Sequence, residues 1–174
     1  MKSLVIVDMQ RDFVDKGGVL YFPKAEDIKD NIIKKIEEYE KMELPIITTQ
    51  DWHDMEDREF KKFPPHCIKG SYGARLTSRI EDVLKDYNSH FSIKKKRFSA
   101  FFETSLEDIL KEAGINEVEV CGVITHICVL YTVEGFRNRD IQTSVLEQGV
   151  ASFDKAAHEC ALKFMKEVLG AQIV

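Results

Sequence analysis

Long apolar stretches are missing from this chain. Its first hydrophobic run, Leu4-Val5-Ile6-Val7, is stopped by Asp8, far short of the roughly 20 residues that a membrane-spanning helix needs. Lys2 is the one basic residue before that run, which is also too short for the core of a secretory signal, so the expected location is the cytoplasm. Cysteine is scarce: four residues, widely scattered and without CxxC spacing, argue against a disulfide framework and fit a reducing interior. Positive charge is not in excess, with 25 Lys plus Arg against 30 Asp plus Glu and a net charge of −5, which disfavours nucleic acid or an anionic membrane as the partner. The run Lys94-Lys95-Lys96-Arg97 is the one local exception. No G-x-G-x-x-G follows the first strand-like run, so the dinucleotide fingerprint is lacking. Nor does a repeat, a low-complexity tract or a linker divide the 174 residues, a length that suits a single domain over 1–174.

What is present is an alternation of strand and helix signals. Ser3 to Val7 reads as a strand covered on both faces, and Ile28, Ile32, Ile36 and Tyr39 then recur at helical spacing. Pro45 to Gln50 is the next strand, followed by a loop-rich stretch with Pro64, Pro65, Gly70 and Gly73. A short helix is expected around Arg75 to Leu84 and a third strand near Phe91 to Ile93. Thr104 and Glu107 have capping-box spacing ahead of a helix carrying Leu106, Ile109, Leu110 and Ala113, which Gly114 ends. Val118 to Val123 is a fourth strand running into a helix-like stretch that ends near Asn138. Ile141 to Leu146 and Ala171 to Val174 read as strands flanking a helix from Asp154 to Leu169. Strand, crossover and strand in this order specify a three-layer αβα fold with a mainly parallel sheet. The segment from Asp51 to Gly73 is longer than most α/β connections, which points to function.

Ligands of open α/β sheets bind beyond the carboxyl ends of the strands. Those ends carry Asp8, Asp51 with His53, Lys95 or a neighbouring lysine, and Cys128. Cys128 sits where a strand meets the start of a helix, whose exposed amides would lower its pKa. A carboxylate such as Asp8 can take the thiol proton and return it to a leaving amine, and a lysine such as Lys95 can hold both charges. Backbone N–H groups at the start of the helix would meet an oxyanion. Asp51-x-His53 projects two ligands to one side of an extended segment, and His66 is a candidate third for a catalytic divalent metal. Such donors do not by themselves choose the metal, since non-haem iron accepts the same set. Each residue also has a bland reading. Asp8 or Asp51 can cap a turn, the lysines can form a solvated face, and His53 and His66 can be satisfied by loop hydrogen bonds. Cys67, Cys121 and Cys160 read as small core residues, Cys160 on a helical stripe with Ala157, Phe164 and Val168. Phe13 and Trp52 are either walls for a flat substrate or core, and His126 either shapes a pocket or caps its helix.

Four segments together carry a resemblance. They are Val5-Ile6-Val7-Asp8-Met9-Gln10-Arg11-Asp12-Phe13; Thr49-Gln50-Asp51-Trp52-His53 with Phe63-Pro64-Pro65-His66-Cys67-Ile68-Lys69-Gly70-Ser71-Tyr72-Gly73-Ala74; Lys95-Lys96-Arg97-Phe98-Ser99-Ala100-Phe101; and Gly122-Val123-Ile124-Thr125-His126-Ile127-Cys128-Val129. They resemble the isochorismatase-like cysteine hydrolases, which include nicotinamidases and N-carbamoylsarcosine amidases, over nearly the whole length. The resemblance implies a catalytic triad of Asp8, Lys95 and Cys128, a cis peptide between Val123 and Ile124, and an oxyanion hole from the backbone of Ile124 and Cys128. It also implies the Rossmann-like strand order 3-2-1-4-5-6 in a six-stranded sheet, and a homo-oligomer, dimer or tetramer. Lys95 is chosen over Lys94 and Lys96 by its distance from Ser99-Ala100-Phe101. The implied metal ligands are Asp51, His53 and His66, holding zinc, with iron or manganese as alternatives. The implied activity is cleavage of a C–N bond in a small amide with release of ammonia, nicotinamide to nicotinate. The link between the lysine and Ser99 is short, as in other branches of the family, so an N-carbamoylsarcosine amidase-like enzyme is the alternative and an inactive binding module of the same fold the second.

Overall fold

The computed structural model describes residues 1–174. Its sheet has six parallel strands: β1 (Lys2–Val7), β2 (Ile46–Asp51), β3 (His90–Lys95), β4 (Glu117–Val123), β5 (Gln142–Ala151) and β6 (Gln172–Ile173). They run in the order β3-β2-β1-β4-β5-β6, as the resemblance implies. Seven α-helices join them: α1 (Arg11–Val14), α2 (Lys24–Asp27), α3 (Lys29–Lys41), α4 (Ser78–Leu84), α5 (Leu106–Glu112), α6 (Leu130–Arg137) and α7 (Lys155–Glu167). Strand β1 shows why the sheet needs helices on both faces. Leu4 and Ile6 enter one core cluster with Ile32 and Ile36 of α3, while Val5 and Val7 enter the other with Leu110 of α5 and Val133 of α6. The two clusters hold 21 and 19 buried residues, so neither face of the sheet is left wet. The order reverses direction between β1 and β4, which opens a crevice at their carboxyl ends.

Several local expectations shift. The capping box of α5 does not form: the Leu106 N–H donates to Thr104 Oγ1 at 3.3 Å, but Glu107 binds Lys111 and Arg139, each at 2.9 Å, rather than reaching back. Gly114 does end that helix, at φ 62°, with the Ile115 N–H closing onto the Leu110 carbonyl. The stripe assigned to the core of α7 lies on its outer side: Cys160, Phe164 and Val168 are exposed, and Ala161, Leu162 and Met165 are the buried positions. Four-residue spacing continues along either side of a helix, so it gave the period correctly and the facing wrongly. Strand β5 is longer than expected, and its pairing with β4 shifts register between Val120 and Gly122. Gly122 has φ 113°, and a Cβ there would stand 2.1 Å from the Val7 carbonyl oxygen, so only glycine lets β1 and β4 approach so closely at the crevice.

Candidate active site

The opening motif builds much of the site from one short segment. At the end of β1 the chain turns through Asp8 at φ 50°, a left-handed conformation that aspartate tolerates better than most residues. Thr49 Oγ1 donates to Asp8 Oδ1 at 2.6 Å and orients the carboxylate. Two residues on, the Gln10 side chain accepts from the Asp51 N–H at 2.7 Å and donates to the Asp51 carbonyl at 2.8 Å, locking the end of β2. Asp12 then accepts from the Cys67 N–H at 2.7 Å, which fixes the segment bearing His66.

Strand alternation selects the lysine. Lys95 is 1% exposed and its ammonium lies 2.7 Å from Asp8 Oδ2, against Asp51 Oδ1, and 3.6 Å from Cys128 Sγ. Lys94 points to the other face, over the Trp52 ring at 4.4 Å, and Lys96 is exposed beside Asp54. Asp8, Lys95 and Cys128 therefore meet at one point, as the strand-end reading expects. Burial works against the Lys95 charge, but Asp51 and Asp8 override it and hold the ammonium well above its ordinary pKa. Burial raises the Asp8 pKa, with Lys95 opposing. It also pushes the Cys128 thiol well up, Lys95 opposing and Asp8 and Asp51 adding to the rise. The helix-start argument for a lowered thiol pKa is thus reversed. Cys128 lies inside a π-helical turn, Thr125–Val129, ahead of α6, and is 6% exposed, so desolvation outweighs the amide dipoles. The resting group is a thiol. Asp8 Oδ2 is buried, and despite its nearness to Lys95 it accepts no well-directed hydrogen bond, so a lone pair remains for the thiol proton. The Val123–Ile124 peptide is cis.

Beside the triad, Asp51, His53, His66 and Glu59 bring their donor atoms within 4.8 Å of one another. The long segment closes on itself to do this: the His53 N–H donates to the Cys67 carbonyl and the Lys69 N–H to the His53 carbonyl. His53 Nδ1 pairs with Asp57 at 3.1 Å and His66 Nδ1 with the Pro64 carbonyl at 2.8 Å, which turns both Nε2 atoms toward the same space. His53 Nε2 is buried without a hydrogen-bond partner. Burial opposes protonation of His53, but Asp51, Asp57 and Glu59 raise its pKa all the same, as expected where clustered carboxylates favour a cation. Two imidazoles, two carboxylates and an orphaned ring nitrogen fit a divalent metal. Glu59 escaped the sequence reading because it sits on a 3-10 turn, Arg58–Lys61, whose acidic residues carry no period.

A narrow cavity leads to Cys128, walled by Phe13, Leu20, Phe63, Phe98, Ile124 and Ile127, with Asp51, Glu59 and His66 on one side. Phe13 lines this cavity and is at the same time a buried member of the core. Trp52 does not line it: alternation along the end of β2 turns Asp51 and His53 one way and Trp52 the other, under Lys94. His126 neither walls this cavity nor caps a helix through its side chain, since its Nδ1 pairs with Ser152 Oγ at 2.9 Å.

Residues 2–173 match the model of the isochorismatase domain. The chain belongs to the isochorismatase family. Among solved structures of isochorismatase-like proteins it is similar to the nicotinamidase PncA of Bacillus subtilis, at 32% identity and TM-score 0.95, covering 99% of this chain and 98% of that one. A pyrazinamidase of Pyrococcus horikoshii in complex with zinc is 29% identical with TM-score 0.90, over 99% and 98%. An N-carbamoylsarcosine amidase of Thermoplasma acidophilum is 28% identical with TM-score 0.86, over 99% and 94%. As an isochorismatase-family hydrolase, the chain keeps Lys95 in contact with both Asp8 and Cys128 at the sheet's switch point.

Proposed function

We propose that this protein is a cysteine amidohydrolase that releases ammonia from a small, flat, neutral carboxamide of the nicotinamide type. The observation that carries the reading is the buried Asp8 carboxylate, whose Oδ2 lies 2.7 Å from the Lys95 ammonium, itself 3.6 Å from Cys128 Sγ. Asp8 takes the thiol proton as Sγ bonds to the amide carbon. Collapse of the tetrahedral adduct breaks the C–N bond while Asp8 returns the proton to departing ammonia. Water then attacks the thioester, losing its proton to Asp8, which passes it to the leaving sulfur as the acid departs. Ile124 and Cys128 both line the cavity, which supports their backbone N–H groups as donors to the oxyanion. Lys95 stays charged throughout and screens Asp8 from Asp51.

Nicotinamide is favoured over a carbamoyl amino acid because the cavity walls offer aromatic and aliphatic surface but no arginine or lysine to hold a substrate carboxylate. Asp51, His53, His66 and Glu59 would hold the divalent metal, zinc by the likeness to the zinc-bound pyrazinamidase, and it would supply a Lewis acid beside the substrate ring. The same proposal takes 1–174 as one domain and the cytoplasm as its location, on the support of four unpaired cysteines. It also takes the working form to be a homo-oligomer.

The test is ammonia release from nicotinamide, pyrazinamide and N-carbamoylsarcosine, with metal content measured on the purified protein. Turnover of the ring amides, lost by about 10⁴-fold or more in Cys128→Ala with the metal retained, is the expected result. Preference for N-carbamoylsarcosine would transfer the assignment to that branch. Equal turnover by Cys128→Ala would end the covalent mechanism.

A further inference from the structure

The outer side of α7 carries an apolar row beside a row of alternating charge. Ala156, Cys160, Phe164 and Val168 form an exposed apolar row at four-residue spacing, with Phe164 44% and Val168 64% exposed. Scattered surface hydrophobics are ordinary; a continuous ridge that includes a phenylalanine, on a helix whose buried side is already packed, is not. The neighbouring ridge reads Lys155, Glu159, Lys163, Glu167, alternating in sign and exposed throughout. Its only ion pairs are along the helix, Lys155 with Glu159 at 3.7 Å and Lys163 with Glu167 at 3.9 Å, long contacts between well-solvated groups.

From this pattern we propose that α7 is a two-fold, antiparallel homodimer contact. In a two-fold interface, if residue i meets j, then j meets i. Antiparallel helices also set each flank against the same flank of the partner in reverse order. A two-fold axis at the level of Ala161 therefore sets Lys155 opposite Glu167 of the second copy, and Glu159 opposite its Lys163, so every charge in the ridge faces its opposite. The apolar ridges, with Cys160 and Phe164 on either side of the axis, pack alongside and supply the attraction, while the charges set direction and register. The 13 residues of α7 span about 20 Å, less than a standard interface requires, so this contact gives a concentration-dependent dimer rather than a permanent one.

Sedimentation equilibrium over a wide concentration range tests this on the full chain. The expected result is twice the 20.1 kDa chain mass at high concentration. Phe164→Glu should weaken association by about tenfold or more. Glu159→Lys alone should weaken it, because Lys–Lys contacts replace the pairs with Lys163. Glu159→Lys combined with Lys163→Glu should restore it, because the reversed ridge is again self-complementary. Recovery in the double variant cannot come from a folding defect. A wild-type chain that stays monomeric throughout, an assembly indifferent to Phe164→Glu, or a double variant weaker than Glu159→Lys would each overturn the proposal. Amide hydrolysis per chain is read separately, since α7 contributes no residue to the triad or the cavity.

Discussion

At Cys128 two local effects compete: amides at a helix start favour the thiolate, and burial favours the thiol. Burial prevails, so under the proposed mechanism the proton is removed during reaction, by the Asp8 carboxylate that Lys95 holds beside the thiol. Lys95 bridges Asp8 and Asp51 in a dry site. Replacing it with methionine, Lys95→Met, should abolish turnover and also cost about 3–5 kcal/mol in urea denaturation, because two buried carboxylates lose their counter-charge. Asp57 acts one step out: it orients His53 through Nδ1 and is itself held by Arg97 at 3.0 Å. Asp57→Ala should weaken zinc binding by about 10–100-fold in titration calorimetry while leaving the fold intact. Asp8, Asp51, His53 and Cys128 were legible as residues at strand ends, and alternation separates Lys95 from Lys94. Trp52, open between substrate wall and core in the sequence, packs against the core because the same alternation turns it away from Asp51 and His53.

Elements position these groups through close approaches as much as through hydrophobic burial. Gly122 is the tightest of them, where β4 passes the Val7 backbone one residue before Asp8. Gly122→Ala should cost about 1–3 kcal/mol by overpacking, measured by urea denaturation, and should depress turnover beyond what the stability loss explains because Asp8 moves with β1. Strands β1 and β4 and helix α3 were readable because their periods are long and continuous. The short helices α1 and α2 were not, since four residues carry too little period to separate from a loop. The facing of α7 was undecidable for another reason: an apolar row at four-residue spacing suits either a core or a partner.

For the molecule as a whole, acid sensitivity has a source away from the catalytic crevice. His90 begins β3 at the opposite end from Lys95, donates to or accepts from Thr48 Oγ1 at 2.9 Å, and is held below its ordinary pKa by burial and by Lys94. The unfolded chain therefore binds more protons than the native one below about pH 6.5, and the stability held above that value is lost as pH falls. His126 and His158, also lowered by burial, act in the same direction, whereas His53, raised by its carboxylates, acts against them. His90→Gln isolates one contribution: between about pH 7 and pH 5, denaturation midpoints should shift in the variant's favour relative to wild type.

Periodicity and turn chemistry, which act between neighbours along the chain, are enough to specify a parallel three-layer α/β fold and to place an acid, a lysine and a thiol at strand ends. Whether those ends converge depends on strand order, and strand order depends on which buried faces find one another across more than a hundred residues. The entry of Glu59 into the metal cluster, the turn of Trp52 away from it, the protonation of Cys128 and the exposure of Phe164 all depend on what lies opposite each residue in space. Desolvation and electrostatic pairing are set by three-dimensional neighbours, so only the tertiary structure could decide them.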